Sequence, residues 1–218
     1  DSQAPAQVAI MDLLPGQGPR GDSPLAHADL ATLAEKGSKQ GAVCIQELKL
    51  LGHLVLRGDK SNADFMAAAE KVLAVALPGP LQSAEAGETS VRWISPDEWL
   101  VIVPGPQAFQ LERELRAAMA SGEADVHCAI VNVSGGQTVL NLTGPAARQV
   151  LQKSIPYDVH DLNFPIGKVV TTVFSKSQAV IRRTGEESWE LVIRRSFADY
   201  IWLWLQDASR EFGLVVKD

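Results

Sequence analysis

The feature that most constrains the fold is an order of predicted elements that occurs twice between residues 43 and 213: strand, helix, hairpin, helix. Gly144 follows Gly58 by 86 positions, and each glycine precedes a stretch with helical periodicity. Trp189 follows Trp99 by 90 positions, and each tryptophan opens a strand just after an acidic turn. The chain is therefore predicted to contain an internal duplication. Two such halves predict an α+β fold with antiparallel sheets and helices packed on one face.

Hydrophobic periods of 2 and 3.6 residues define the elements of each half. In the first half they predict strands at 43–45, 53–56, 91–94 and 99–103, and helices at 62–76 and 108–119. In the second half they predict strands at 129–133, 138–142, 169–174, 179–183 and 189–193, a helix that ends before Pro156, and a last helix at 196–212.

The chain divides into three predicted segments, residues 1–42, 43–122 and 123–218. Residues 1–24 are rich in proline and glycine, which indicates an extended arm that builds no core of its own. Such an arm either lies on a neighbouring subunit or forms a flexible tail. A short helix beginning at Ser23 completes this segment. The other two segments are predicted to be the repeat halves of one compact body.

Charge and cysteine content exclude several classes of protein. The chain has 20 basic and 26 acidic residues, a net charge of −6, and no basic run, so a nucleic-acid binder is not expected. Its apolar stretches are far shorter than the ~20 residues that span a bilayer. Cys44 and Cys128 form no CxxC pair, which favours a reducing compartment. Because no secretory leader is visible either, a cytoplasmic protein is expected.

The familiar cofactor and catalytic motifs are weak or absent in this sequence. Residues 16–21 match the dinucleotide pattern GxGxxG, but Pro15 and Pro19 interrupt the helix start that a pyrophosphate needs, so we expect a loop. The four histidines share no i, i+4 spacing, and no P-loop, nucleophile elbow or HExxH is present. The sequence therefore predicts no catalytic, cofactor-binding or metal-binding residue in this chain.

The last predicted helix, residues 196–212, carries more apolar surface than one core face requires. Trp202 and Leu203 lie outside its main stripe, and tryptophan is enriched at the centres of protein interfaces. We therefore predict a partner interface at Trp202 and Leu203, where Arg194 and Arg195 could clamp a carboxylate. The alternative is that the helix lies deep between the two halves. The main stripe consists of Phe197, Tyr200, Ile201, Trp204, Leu205, Ala208 and Phe212.

Three stretches of sequence point to a known family. They are residues 95–100 (SPDEWL), residues 142–148 (LTGPAAR) and residues 194–200 (RRSFADY), the last followed by Trp202 and Trp204. Together they resemble the gamma-subunit family of heterotetrameric sarcosine oxidases over nearly all of residues 43–213. More distantly, the chain is similar to the folate-binding fold of glycine-cleavage aminomethyltransferases, which also contains an internal duplication.

This resemblance implies a function for an assembly rather than for the chain alone. The assembly would oxidise the N-methyl group of sarcosine to give glycine and hydrogen peroxide, with 5,10-methylenetetrahydrofolate or formaldehyde as the one-carbon product. The alpha, beta and delta subunits would be the partners and would hold FAD, FMN, NAD and zinc. The gamma chain would carry no cofactor and act as a noncatalytic structural subunit.

Two other functions stay open at this stage. One is a free-standing folate-binding protein or one-carbon transferase, for which Asp97 and Glu98 are the candidate acids, although both lie in a hairpin turn where carboxylates are ordinarily solvated. The chain lacks the lysine–glycine–cysteine and glycine–glutamine signature of free-standing folate-fold proteins around Cys44 and Cys128. The other is a scaffold in an oxidase complex for a different N-methylated amino acid.

Overall fold

The computed structural model describes residues 21–120 and 126–218, which form two β-sheets and the helices that cover them. The helices of the first half and of the segment before it are α1, α2 and α3. The strands of the first half are β1 to β5. The bounds are α1 (Leu30–Lys36), β1 (Val43–Leu48), β2 (Gly52–Gly58), α2 (Ala63–Leu73), β3 (Ser83–Ala86), β4 (Thr89–Ser95), β5 (Glu98–Val103) and α3 (Ala108–Ala120).

The second half follows the same order with one extra strand at its end. Its predicted strands and helices are present, which confirms the α+β fold class. The bounds are β6 (Cys128–Asn132), β7 (Gln137–Thr143), α4 (Ala147–Ser154), β8 (Val169–Phe174), β9 (Ser177–Gly185), β10 (Ser188–Arg194), α5 (Ala198–Ser209) and β11 (Leu214–Lys217).

The two halves exchange their first strands. Sheet I has the order β11-β1-β7-β10-β9-β8, and sheet II has the order β3-β4-β5-β2-β6. Strand β1 pairs with β7 of the second half, where Ile45 lies opposite Leu142. Strand β6 pairs with β2 of the first half, where Ile130 lies opposite Leu56. Neither sheet is complete without a strand from the other half. The predicted boundary at residues 122/123 lies outside the described residues and stays a prediction.

The sheets lie face to face between two outer layers of helices. Helices α1, α4 and α5 pack on the outer face of sheet I, and α2 and α3 pack on the outer face of sheet II. Ile102 and Leu100 of sheet II meet Val139 and Val192 of sheet I in the layer between the sheets. Burial of these apolar faces is the main stabilising term of such a fold. The predicted packing of helices on one face of each sheet is confirmed.

Four details differ from the sequence prediction. The short first helix is split into a 3-10 turn, Ala26–Ala28, and α1, because Asp29 adopts a left-handed conformation and caps α1. Helix α2 ends at Leu73, since the next residue also has a positive φ. Strands β3 and β11 are additions: β3 contains no β-branched residue, and β11 is only four residues long. Pairing with a neighbouring strand stabilises each of them. Strand β3 pairs with β4, and β11 pairs in parallel with β1.

A buried carboxylate ties the first helix region to sheet I. Glu47 on β1 accepts hydrogen bonds from Ser23 Oγ at 2.7 Å and from Thr138 Oγ1 at 2.9 Å. It also accepts one from the backbone N–H of Leu25 at 3.3 Å. Glu47 is almost completely buried, so these donors have no access to water as an alternative partner. The side chain therefore joins residues from both halves and from the segment before them.

We expect Glu47→Ala to lower the free energy of unfolding by about 2–4 kcal/mol, because buried donors lose a charged acceptor. Chemical denaturation of the chain measures this loss. The matched control is Glu70→Ala on the exposed side of α2, which should change stability by less than about 0.5 kcal/mol. An equal effect of the two substitutions would contradict the role assigned to Glu47.

Candidate functional site

The structure corrects one residue of the predicted partner interface. Trp202 is only 4% exposed and belongs to the core of sheet I. The buried residues of α5 recur at intervals of three and four, and Trp202 lies at one edge of that stripe, whose centre is Leu205. Its prediction as an interface residue was wrong. The stripe consists of Ala198, Ile201, Trp202, Leu205, Ala208 and Ser209.

The remaining interface residues lie at the surface. Leu203 is 56% exposed, and Arg194 and Arg195 are exposed at the end of β10. Phe197, predicted for the core, is also exposed, because it lies in a 3-10 turn before α5 begins and is out of phase with the helix. Apolar and cationic groups are therefore available to a partner here. The exposed aromatic residue is Phe197 and not Trp202, which the periodicity indicates.

Two aromatic residues predicted for the core of α5 lie instead at the edge of its buried face. Trp204 donates its indole N–H to Ser154 Oγ at 3.0 Å, and the Tyr200 hydroxyl contacts Ser175 Oγ at 2.5 Å. Polar atoms on aromatic side chains need such partners when they are half-buried. The apolar character of these side chains is what shifted the predicted core face away from Trp202.

The acidic pair Asp97-Glu98 is held by an arginine. Arg57 donates to Asp97 at 2.6 Å, and its Nε lies 3.8 Å from Glu98. The bonds to Arg57 and to Ser95 lower the pKa of Asp97 below its ordinary value. A carboxyl with a lowered pKa is ionised at neutral pH and is a poor proton donor. The pair fixes its hairpin turn and is not arranged as a general acid.

A buried charge cluster that the sequence reasoning missed lies between the sheets. Arg92 of β4 pairs with Glu190 of β10, and Arg182 of β9 pairs with Glu85 of β3. Arg182 also donates to Ser90 Oγ at 3.1 Å. Burial lowers the pKa of Arg92 to about 10, although Glu190 opposes the effect. The ion pairs compensate the buried charges and link the two sheets.

The sequence did contain a signal for this cluster. Arg92 and Arg182 are 90 positions apart, the same offset as Trp99 and Trp189, and each arginine interrupts an apolar strand. Equivalent strands of a duplicated fold place such residues at related positions. The offset alone does not reveal their acidic partners, which come from another strand in each case.

His53 is buried beside this cluster on β2. Neither of its ring nitrogens has a hydrogen-bond partner of normal geometry among the described residues, and a weaker interaction with the backbone of Leu51 only partly opposes the effect of burial on its pKa. Burial, aided by the positive charge of Arg92, lowers its pKa from 6.5 to about 4. The imidazole is therefore neutral at physiological pH, and no carboxylate among the described residues hydrogen-bonds to it.

One cavity has in its wall a tryptophan that lies between two arginines. Its volume is about 620 Å³, and Trp189 forms part of its wall. The guanidinium groups of Arg148 and Arg183 each lie 5.6 Å from the indole ring, a cation–π distance. Asp161 pairs with both arginines, and these bonds hold the pKa of its carboxyl below the ordinary value. One carboxylate is thus shared by two guanidinium groups.

The remaining predictions concern metal binding, membrane insertion and the N-terminal arm. Within residues 21–120 and 126–218, no three metal-ligating side chains converge. No helix in the same part of the chain is long and apolar enough to cross a bilayer. Residues 1–20, which include most of the predicted arm and most of the GxGxxG match, lie outside the described residues, so those predictions stay predictions.

The sequence model described as the sarcosine oxidase gamma subunit family matches residues 57–211. The chain belongs to this family. It is 35% identical over 194 residues to the sarcosine oxidase subunit gamma of Corynebacterium sp. (strain P-1), covering 88% of this chain and 91% of that protein. The resemblance proposed from the sequence is confirmed.

Solved structures support the family and extend the fold. A chain of the heterotetrameric sarcosine oxidase from Corynebacterium sp. U-96, in complex with pyrrole 2-carboxylate, matches with a TM-score of 0.77 and 32% identity, covering 91% of this chain and 98% of that one. The glycine cleavage system aminomethyltransferase T from Bartonella henselae matches with a TM-score of 0.58 and 15% identity, over 88% of this chain and 52% of that one. The second likeness is one of fold alone and confirms the similarity of fold expected above.

The lowered pKa of His53 predicts a loss of stability in acid. The unfolded chain binds a proton near pH 6.5 and the folded chain only near pH 4, so stability is complete above 6.5 and falls as the pH decreases between these values. The loss should reach about 3 kcal/mol at pH 4. Denaturation midpoints measured from pH 7.5 to pH 4 give this value.

The matched variant is His53→Leu, which removes the titrating group and leaves no unpaired ring nitrogen. We expect a flatter pH dependence between 6.5 and 4.5 than in the unmodified chain. The hydrogen bond from Arg182 lowers the pKa of Glu85 below its ordinary value of 4.5. Protonation of Glu85 therefore reduces the stability of the folded chain only at lower pH. An unchanged slope in His53→Leu would show that another group causes the acid sensitivity.

Proposed function

We propose that this chain is the gamma subunit of a heterotetrameric sarcosine oxidase and serves the complex as a noncatalytic structural subunit. One observation carries the proposal: the fold superimposes on a chain of such a heterotetramer over 98% of that chain's length. Family membership and the 35% identity to a curated gamma subunit support it.

The proposed complex demethylates sarcosine oxidatively to glycine, with hydrogen peroxide and 5,10-methylenetetrahydrofolate or formaldehyde as further products. Its alpha, beta and delta subunits are the proposed partners of this chain and the proposed holders of FAD, FMN, NAD and zinc. We place the complex in the cytoplasm, which agrees with the sparse use of cysteine.

The chemistry of the chain supports a structural role. The buried charges of Arg92 and Arg182 are used in links between the two sheets, and the carboxylate of Asp97 is held by Arg57. These groups hold the fold together and none is arranged to transfer a proton. A rigid body of this kind contributes by presenting a fixed surface to larger chains.

We propose that part of this surface lies along α5 and the residue pair before it. Leu203 offers exposed apolar area, and Arg194 and Arg195 offer two guanidinium groups without ion pairs among the described residues. Arginine suits such a site because its planar fork binds a carboxylate with two hydrogen bonds.

Purification of the tagged chain from its source cells, followed by native mass spectrometry, tests the proposal. The expected result is a yellow complex with one copy of each of three other chains and sarcosine-dependent production of hydrogen peroxide. A colourless monomer would contradict it. Titration of the tryptophan fluorescence with tetrahydrofolate would then test the alternative of a free-standing folate-binding protein.

The proposed interface predicts different effects for substitutions of two neighbouring residues of α5. Leu203→Asp should leave the chain folded, since the side chain is exposed, but should reduce the recovery of the complex about tenfold or more. Trp202→Asp should prevent folding instead, because loss of a buried tryptophan alone costs about 3–5 kcal/mol. Circular dichroism and co-purification measure the two effects.

Leu50→Asp is the matched control for Leu203→Asp. Leu50 is 58% exposed, lies between β1 and β2, and has a left-handed backbone that aspartate tolerates. Its substitution should leave both folding and assembly unchanged. Normal recovery of the Leu203→Asp complex would show that α5 is not part of the interface.

A further inference from the structure

The duplication allows the surroundings of two equivalent tryptophans to be compared within one chain. Trp99 opens β5 in the first half, and its indole N–H donates to the carbonyl of Pro78 at 2.9 Å. Pro78 belongs to the segment that follows α2 and is itself buried, as is Leu77 beside it. In the first half, the segment after the helix therefore closes over the tryptophan and supplies its acceptor.

The second half lacks this closure. Trp189 is only 1% exposed, yet its indole N–H has no hydrogen-bond partner among the described residues. A buried donor without an acceptor is rare in native proteins and requires an explanation. The acceptor present in the first half has no counterpart within the described part of the second.

The segment after α4 is held by Arg183. Arg183 donates to the carbonyl of Phe164 at 2.8 Å and pairs with Asp161 at 2.6 Å, which fixes residues of this segment beside the arginine. The cavity of about 620 Å³ remains between this segment and the Trp189 ring. Each of the two equivalent tryptophans therefore has a different neighbour: Trp99 has the Leu77-Pro78 segment, and Trp189 has this cavity.

The rim of the cavity carries groups suited to another protein. Ile166 in its lining is 57% exposed, and Leu162 in the same segment is 86% exposed. Glu186 and Glu187 also line the cavity, and their exposed carboxylates make no ion pair among the described residues. The cavity therefore combines a tryptophan with an unpaired, buried N–H, apolar area and a net negative charge, because Asp161, Glu186 and Glu187 outnumber Arg148 and Arg183.

These features distinguish a protein segment from a small ligand. An anion would need a free cation, but Asp161 and backbone carbonyls already bind Arg183, and Asp161 also pairs with Arg148. A single water could satisfy the indole but would leave Ile166 and Leu162 exposed to solvent. A peptide segment can supply a carbonyl, an apolar side chain and a basic side chain together.

We propose that the Trp189 cavity receives a loop of another subunit that contains an apolar residue next to a lysine or arginine. A backbone carbonyl of this loop accepts the Trp189 N–H, as Pro78 does for Trp99. Its basic side chain pairs with Glu186 and Glu187. This inference rests on the proposed role of the chain in an oxidase complex and adds a second contact region to the one proposed at α5.

Photocrosslinking in the assembled complex tests the occupant directly. Benzoylphenylalanine in place of Ile166 should crosslink to a segment of another subunit, and peptide mass spectrometry should find an apolar residue and a Lys or Arg in that segment. Crosslinks only within this chain would overturn the proposal. So would capture of a segment without a basic residue.

Paired substitutions test the energetics. In a dilution series followed by native mass spectrometry, Trp189→Phe should raise the dissociation midpoint of the complex about three- to tenfold, as expected for one lost hydrogen bond. Glu186→Arg combined with Glu187→Arg should raise it at least tenfold by like-charge repulsion. The matched control is Trp99→Phe, which loses an internal hydrogen bond and should lower thermal stability without changing the midpoint.

The outcomes separate this inference from the proposed function. Recovery of no complex with the unmodified chain would contradict both. A normal complex whose midpoint is unaffected by Trp189→Phe and by the Glu186 and Glu187 reversals would contradict only the cavity assignment. Equal changes in midpoint for Trp189→Phe and Trp99→Phe would also overturn it, because the effect would then follow from stability alone.

Discussion

The pairing of β1 with β7 and of β2 with β6 is the interaction on which the rest of the structure depends. Each half gives its first strand to the sheet of the other, so neither sheet reaches its full width alone. The exchange holds the sheets face to face and creates the layer between them. In that layer Arg92 and Arg182 find acidic partners across the sheets and within them. Interlocked sheets with compensated buried charges suit a chain that serves as a rigid subunit.

The two halves keep the same architecture but differ where they meet solvent. The first half supplies an acceptor for the Trp99 N–H from its own Leu77-Pro78 segment, whereas the described residues of the second half supply none for Trp189. The structural duplication supplies a stable body, and the local difference leaves one face with an unpaired donor and exposed apolar groups. Family membership agrees with this division, since a subunit of an assembly needs both a self-sufficient core and a face for its neighbours.

Much of this organisation could be predicted from hydrophobic periodicity and turn residues, because both act over short stretches of chain. The order of strands and helices was correct in both halves, and β8 was predicted at the residues where the structure has it. The 86- and 90-residue offsets of the glycines and tryptophans indicated the duplication before any coordinates. The motifs around Trp99, Gly144 and Arg194 identified the family. All of these signals reside in the identity and spacing of nearby residues.

The tertiary structure alone decided which strands pair, which face of α5 is buried and which polar groups meet. Strand exchange joins residues 70 to 99 positions apart, and no local pattern encodes that choice. Trp202 and Phe197 exchanged their predicted places because the start of the helix sets the phase of its buried face. Strand β3 has little β-propensity of its own and forms through its neighbour β4. Local sequence thus determined the elements and the family, whereas long-range packing determined the core, the charge cluster and the open cavity at Trp189.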